Sequence, residues 1–250
     1  METIKIAVDD QGIATLTLDR PDKHHAMNAQ MIAELTEAAD RLGSDPRVRA
    51  VVLASTGKSF CAGGDLEWMR DQQEADRAGK IAEAGRLSAM LAALNRLPKP
   101  LIARVQGNAY GGGLGLVAVC DIAVAAEGVR FALTETRLGL IPATIGPFVL
   151  RRMGQGMARR VFFTGNSFGT EFALRSGLIH EVCHADDLDA RIEALTDAIL
   201  KTAPGAVGAA KALCLSLGRS EEDDIAASIT ALADCWESDE AQDRIRAFLG

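Results

Sequence analysis

Two glycine-rich stretches of this chain have the residue types needed to hold a developing negative charge. They are "SFCAGGDLEW" at 59–68 and "NAYGGGLGL" at 108–116. Each follows a run that reads as a buried strand, "VRAVVLAST" and "LIARVQ", and each leads toward a helix. The first residues of a helix leave N–H groups without intrahelical partners and carry partial positive charge. Glycine lets a ligand approach the main chain closely. Two such turns side by side can aim two N–H donors at one oxygen. That is an oxyanion hole, and it suits a thioester carbonyl becoming an enolate. The competing reading is that the paired glycines serve close packing alone.

Three shorter patterns point to other chemistry and fail on context. "HEVCH" at 180–184 matches the zinc-protease motif H-E-x-x-H, which works on a helix. Here the run "LIHEVC" reads as a strand, which separates His180 and His184 by about 13 Å at ~3.3 Å per residue, too far for one metal. "GNSFG" at 165–169 matches the nucleophile elbow, yet only His180 and His184 follow it, with helices alone beyond them. Gly113, Gly115 and Ala118 fit the loose dinucleotide pattern, but the helix after them is too short for a βαβ crossover. No metal or redox cofactor is expected.

The elements that must carry the glycine turns alternate. "TIKIAV" and "IATLTLD" read as strands around the turn "DDQG". "AQMIAELTEAADRLG" has helical spacing at Met31, Leu35 and Ala38, with Gly43 as its stop. "KIAEAGRLSAMLAALNRL" is a helix ended by Pro98 and Pro100. "DIAVAAEG" and "RFALTE" complete the strand-rich part. From Asp186 onward the reading is helical only, in "DDLDARIEALTDAILKT", "PGAVGAAKALCLSLG" and "EEDDIAASITALADCWES".

The bulk numbers fit a globular protein of 250 residues, 48% hydrophobic and 24% charged. A net charge of −7 gives no broad attraction to nucleic acid or anionic membranes. The five cysteines are scattered without a Cys-x-x-Cys pair, which suits a reducing compartment. The start "METIKIAVDD" lacks a signal-peptide pattern, and the apolar run 111–126 is too short for a membrane span. The expectation is a cytoplasmic protein.

Five segments, in order, carry a family resemblance over essentially the full length. They are "LDRPDKHHAMN", "GKSFCAGGDL", "KPLIARVQGNAYGGGLGLVAVCDIAVAAEGVRFALTETRLGLIP", "TGNSFGTEFALRSGLI" and "DRIRAFL". The chain resembles the enoyl-CoA hydratase/isomerase (crotonase) superfamily. The resemblance implies an α/β fold, a spiral of ββα units over 1–185 that holds the acyl-CoA site. Residues 186–250 become a helical oligomerisation section, building a homotrimer or a dimer of trimers. It also implies an acyl-CoA thioester as substrate, coenzyme A being part of that substrate and not a cofactor. Carried over by position, Gly64 and Gly112 supply the oxyanion N–H groups, and Ala62, Gly64, Asp65 and Leu66 line the pantetheine and thioester. Lys23 lies near the CoA phosphates, with a solvated surface lysine as its alternative. Glu135 is the catalytic carboxylate.

The family's other catalytic glutamate is replaced here by Gly115. A lone carboxylate can move a proton between two carbons of an acyl thioester, the chemistry of a Δ3–Δ2 enoyl-CoA isomerase. The segment "PATIGPFVLRRMG" at 142–154 instead resembles the bacterial methylglutaconyl-CoA hydratase branch of leucine breakdown, which also has glycine at that position. The leading expectation is a hydratase of a branched or carboxylated 2-enoyl-CoA. The isomerase and a non-catalytic acyl-CoA-binding homologue are the alternatives. Arg137, two residues past Glu135, is a candidate to meet a substrate carboxylate or to form a structural ion pair. His25 stands where the family usually has asparagine, and Glu67 where a CoA-contacting lysine is common.

Overall fold

The structure, a computed structural model, describes residues 1–216 and 221–249. The chain begins with the hairpin β1 (Ile4–Val8) and β2 (Ile13–Leu18), then α1 (Ala29–Ser44). There follow β3 (Ala50–Ser55), β4 (Ser59–Cys61), α2 (Leu66–Glu74) and α3 (Arg77–Arg96). Next come β5 (Leu101–Val105), β6 (Asn108–Tyr110), α4 (Gly112–Ala118), β7 (Ile122–Ala126) and β8 (Arg130–Ala132). A 3₁₀ turn at Glu135–Leu138 leads to α5 (Gly146–Thr164), β9 (Phe168–Gly169), α6 (Thr170–Arg175) and β10 (Glu181–Cys183). Helices α7 (Leu188–Leu200), α8 (Pro204–Ser216), α9 (Glu221–Trp236) and α10 (Asp239–Leu249) complete the chain.

The strands form two sheets, ordered β1-β2-β3-β5-β7-β10 and β4-β6-β8-β9. Successive turns of the chain place one strand in each: β3 then β4, β5 then β6, β7 then β8. This is the ββα spiral the resemblance implied. The central strand β3 is buried along its whole length, as a parallel strand covered on both faces must be. At the hairpin turn, Gly12 has φ +89°, and a Cβ there would lie 2.3 Å from the Arg47 carbonyl. Helix α1 starts at Asn28, whose side chain accepts the Met31 N–H at 2.9 Å. It runs through the expected stop at Gly43 to Ser44. Gly43 instead allows close packing, since a Cβ would sit 3.1 Å from Pro98 Cδ.

The C-terminal stretch is helical among the described residues, as expected; the "LG" at 217–218 of the expected α8 segment lies outside them. It is not a separate unit. Helix α9 packs on α3, and α10 packs on α2 and the 3₁₀ turn. Leu140, Trp236, Ala241 and Ile245 make a second apolar cluster there. The three short patterns take the structures their context required. "HEVCH" contains strand β10, paired in parallel with β7. His180 Nδ1 accepts the Ala123 N–H at 2.9 Å, while His184 accepts the Asp186 N–H at a 3₁₀ start. "GNSFG" is a loop that ends in β9 and leads into α6, and α4 has only seven residues.

Candidate active site

The smaller sheet organises the site. Strands β4, β6 and β8 run parallel, with Ala109 opposite Phe131 and Tyr110 opposite Ala132. Their carboxyl ends therefore deliver three segments to one edge: Ala62–Asp65, Gly111–Gly112 and Thr134–Glu135. Ligands of parallel α/β sheets bind at this end.

The two glycine turns pack against each other through backbone. A Cβ on Gly113 would stand 2.5 Å from the Cys61 carbonyl oxygen, and one on Gly63 3.1 Å from that of Tyr110. Gly111 has φ +47° and ψ −120°, a conformation closed to residues with a side chain. Met27 ties both turns together. Its N–H donates to Gly63 O at 2.7 Å and its carbonyl accepts from Asp65 N–H at 2.9 Å. In a pleated strand the residue between those two points its own N–H the other way. So Gly64 N–H is turned away from Met27, without a hydrogen bond among the described residues. Gly112 N–H, the first of α4, is likewise unbonded. The Met27 Cε methyl packs over Gly112, where an added Cβ would come within 2.0 Å of it.

Glu135 opens the 3₁₀ turn beside these glycines. Its Oε1 would be 3.5 Å from a Cβ placed on Gly111. Its Oε2 is buried without a hydrogen-bond partner. Burial pushes the carboxyl up to about 7, opposed only by its own backbone N–H. A carboxylate poised near neutrality is equipped to exchange protons in both directions.

These parts surround a cavity of about 230 Å³. Ala62, Gly64, Leu66, Gly112 and Glu135 all line it, as the sequence expects. Two expected binding residues lie elsewhere. Asp65 is not in the cavity wall; its buried carboxylate accepts from Arg20 Nη2 at 2.8 Å and caps α2 through Glu67 N–H at 2.9 Å. Burial alone would raise its pKa, but these bonds outweigh it and hold the carboxyl below the usual range. Lys23 is exposed, with Nζ 3.8 Å from Glu67 Oε1, a surface pair of little strength. Arg137 meets neither expectation: it turns outward and donates to Asn166 Oδ1 at 2.7 Å. His25, at φ +55°, uses the left-handed tolerance it shares with asparagine. Its Nδ1 accepts the Arg20 N–H at 3.0 Å, and its Nε2 lies 2.7 Å from Thr56 O.

Removing the Asp65 carboxylate leaves Arg20 unpaired and α2 uncapped. Asp65→Ala is expected to cost about 3 kcal/mol in urea unfolding at pH 7. Asp65→Asn keeps the cap and should cost less. The folded pKa being depressed, this contribution is present above the ordinary aspartate pKa of about 4 and is lost below it. A loss under about 1 kcal/mol for Asp65→Ala would show that the pair does not hold the turn.

The sequence reading missed the far wall. Lys80, Ala84 and Leu87 of α3 contribute to it, with Leu232 and Trp236 of α9 and Phe248 of α10. It also left Gly115 unexplained. That residue is buried, and a Cβ there would lie 2.6 Å from Ile145 Cγ2 and 3.4 Å from Leu91 Cδ1. Apolar side chains fill the place of the family's first glutamate, and Glu135 is the one acid lining the cavity among the described residues.

Comparison with known proteins agrees with this geometry. The family model described as Enoyl-CoA hydratase/isomerase matches residues 9–250. A short-chain-enoyl-CoA hydratase of Clostridium acetobutylicum is 30% identical over 100% of this chain and 96% of its own length. A putative enoyl-CoA hydratase of Thermus thermophilus is 30% identical over 97% and 96%. The crystal structure of a putative enoyl-CoA hydratase from Mycobacterium avium paratuberculosis superposes with a TM-score of 0.89 at 32% identity, covering 98% of this chain and 96% of that one. Full-length matches in sequence and in fold, joined to paired glycine turns facing a glutamate with a buried carboxylate oxygen, make this chain a member of the enoyl-CoA hydratase/isomerase family, an enzyme of acyl-CoA chemistry.

Proposed function

We propose that the enzyme hydrates a branched or carboxylated 2-enoyl-CoA of the methylglutaconyl-CoA type, with Glu135 as its single proton-transfer group. The observation that carries this is the unpartnered Oε2 of Glu135 in a cavity that also holds two unbonded backbone N–H groups. Gly64 and Gly112 donate to the thioester oxygen as it gains charge. Ionised Glu135 takes a proton from water as the hydroxyl adds to Cβ, then delivers that proton to Cα. The glutamate ends as it began, and water is consumed whole. Ala62 and Leu66 flank the pantetheine, Asp65 fixes their turn, and Lys23 meets the charged nucleotide end.

A second reading rests on a specific feature, the apolar filling at Gly115. One carboxylate suffices for a Δ3–Δ2 isomerase, which moves a proton from C2 to C4 without water. Incubation with 3-methylglutaconyl-CoA, crotonyl-CoA and a 3-enoyl-CoA separates the two. Hydration of the first, lost in Glu135→Gln, is the expected result. Double-bond migration with no hydration would favour the isomerase.

Assembly into trimers is the accompanying inference, supported by α8. That helix, "PGAVGAAKALCLS", has no buried residue, and it exposes Leu213 and Leu215. Sedimentation equilibrium is expected to give three or six copies; a monomer would overturn this.

A further inference from the structure

Lys80 is a cation inside the cavity with no anion to meet. It belongs to α3, is 7% exposed and lines the site described above. Its ammonium has no hydrogen bond or ion pair among the described residues, only the Trp236 ring, with the centroid 5.9 Å away. Four acids on the neighbouring helical turns are otherwise engaged among the described residues. Asp76 caps α3 through the Gly79 N–H at 2.7 Å. Glu83 pairs with Arg86 and accepts from Trp68 Nε1 at 3.2 Å. Asp234 and Glu237 both face Arg77, at 2.5 and 3.7 Å. Nor does Lys80 serve Glu135, whose carboxyl feels burial and its own N–H but no cation. The two charged groups line one cavity, with Leu87, Ile141 and Leu232 contributing apolar wall.

The Lys80 side chain is buried while its ammonium reaches the cavity without a counter-ion, so an anion entering the cavity gains a charge-assisted hydrogen bond there. We propose that Lys80 binds a terminal carboxylate on the acyl group, making the preferred substrates acyl-CoA thioesters of dicarboxylic acids. This rests on the acyl-CoA reading of the cavity and adds the residue that selects the acyl end. A neutral acyl chain leaves the ammonium unpaired and gains nothing from it. A carboxylated one supplies the missing partner, against the ring of Trp236.

The test compares glutaconyl-CoA with crotonyl-CoA in turnover, and glutaryl-CoA with butyryl-CoA in calorimetric binding. In the wild type, glutaryl-CoA should bind at least about 10-fold more tightly than butyryl-CoA, the gain usual for a hydrogen bond to a charged group. Lys80→Met should lower the ratio of kcat/KM values, glutaconyl over crotonyl, by about 10- to 100-fold. Lys80→Arg, which keeps the charge, should restore most of it. Equal wild-type binding of the two saturated thioesters overturns the proposal, and needs no variant. So does a Lys80→Met protein in which both substrates fall alike, since that is the mark of a structural role. Selective glutaryl-CoA binding without any turnover would leave Lys80 as the selector while refuting the hydratase reading.

Discussion

Glu135→Gln is expected to lower kcat/KM for 2-enoyl-CoA hydration by about 10²–10⁴-fold, the range for loss of a positioned acid or base. The same change should make the protein more stable at pH 8. The wild-type carboxyl titrates at about 7 in the fold because burial disfavours its charge. An unfolded glutamate titrates near 4.3. Below that lower value the group is protonated in both states and costs nothing. As pH rises toward 7 the unfolded chain ionises first, so the fold loses stability, by about 4 kcal/mol once both states are charged. Glutamine avoids this loss. The stability gap between variant and wild type should therefore be small at pH 4 and grow through pH 7. In wild type, log kcat/KM should climb with unit slope to about pH 7 and then level, while the variant's profile stays flat. A stability gap independent of pH would sink the account of Glu135 as a buried, poised carboxylate.

Gly115→Glu, which writes the family's first glutamate back into the sequence, is expected to damage the enzyme. Its Cβ would fall 2.6 Å from Ile145 Cγ2 and 3.1 Å from Ile145 Cβ. Ile145 branches at Cβ, so no rotamer moves both atoms aside, and the backbone must shift. The new carboxylate would also be set among apolar groups without a partner. A loss of about 3 kcal/mol or more follows, seen as a melting temperature lower by about 6–12 °C for a chain of this size. Hydration should fall rather than rise. Adding Ile145→Ala opens space and should recover part of the stability. A Gly115→Glu protein melting within about 2 °C of wild type would show that the site is open to a second acid.

The parts of the site on the small sheet were legible because their local requirements are strict. Gly111 occupies a conformation only glycine reaches, and Gly113 touches the Cys61 carbonyl, so the spacing of glycines records the contact between the turns. Glu135 was legible through resemblance, its burial only in three dimensions. The far wall was hidden for a physical reason. Lys80, Leu232 and Trp236 sit on helices where a residue facing a cavity and one facing the core have the same periodicity. Arg137 misled because two residues along a 3₁₀ turn point in different directions, and its guanidinium follows Asn166 at the surface. Gly115 read as a missing acid, whereas its environment of Ile145 and Leu91 comes from segments remote in the chain.

With Glu135 as the one acid in the cavity wall among the described residues, the proposed reaction acquires a stereochemical and isotopic signature. A single carboxylate stands on one side of the substrate, so the hydrogen and the hydroxyl reach the double bond from the same face. On the proposed mechanism, the hydrogen that arrives at Cα is one that the glutamate has just taken from the attacking water. When the product is dehydrated in D₂O, a carboxylic acid shielded by apolar walls returns part of its protium before exchange. Protium retention at Cα is thus a label for how many groups handle the proton.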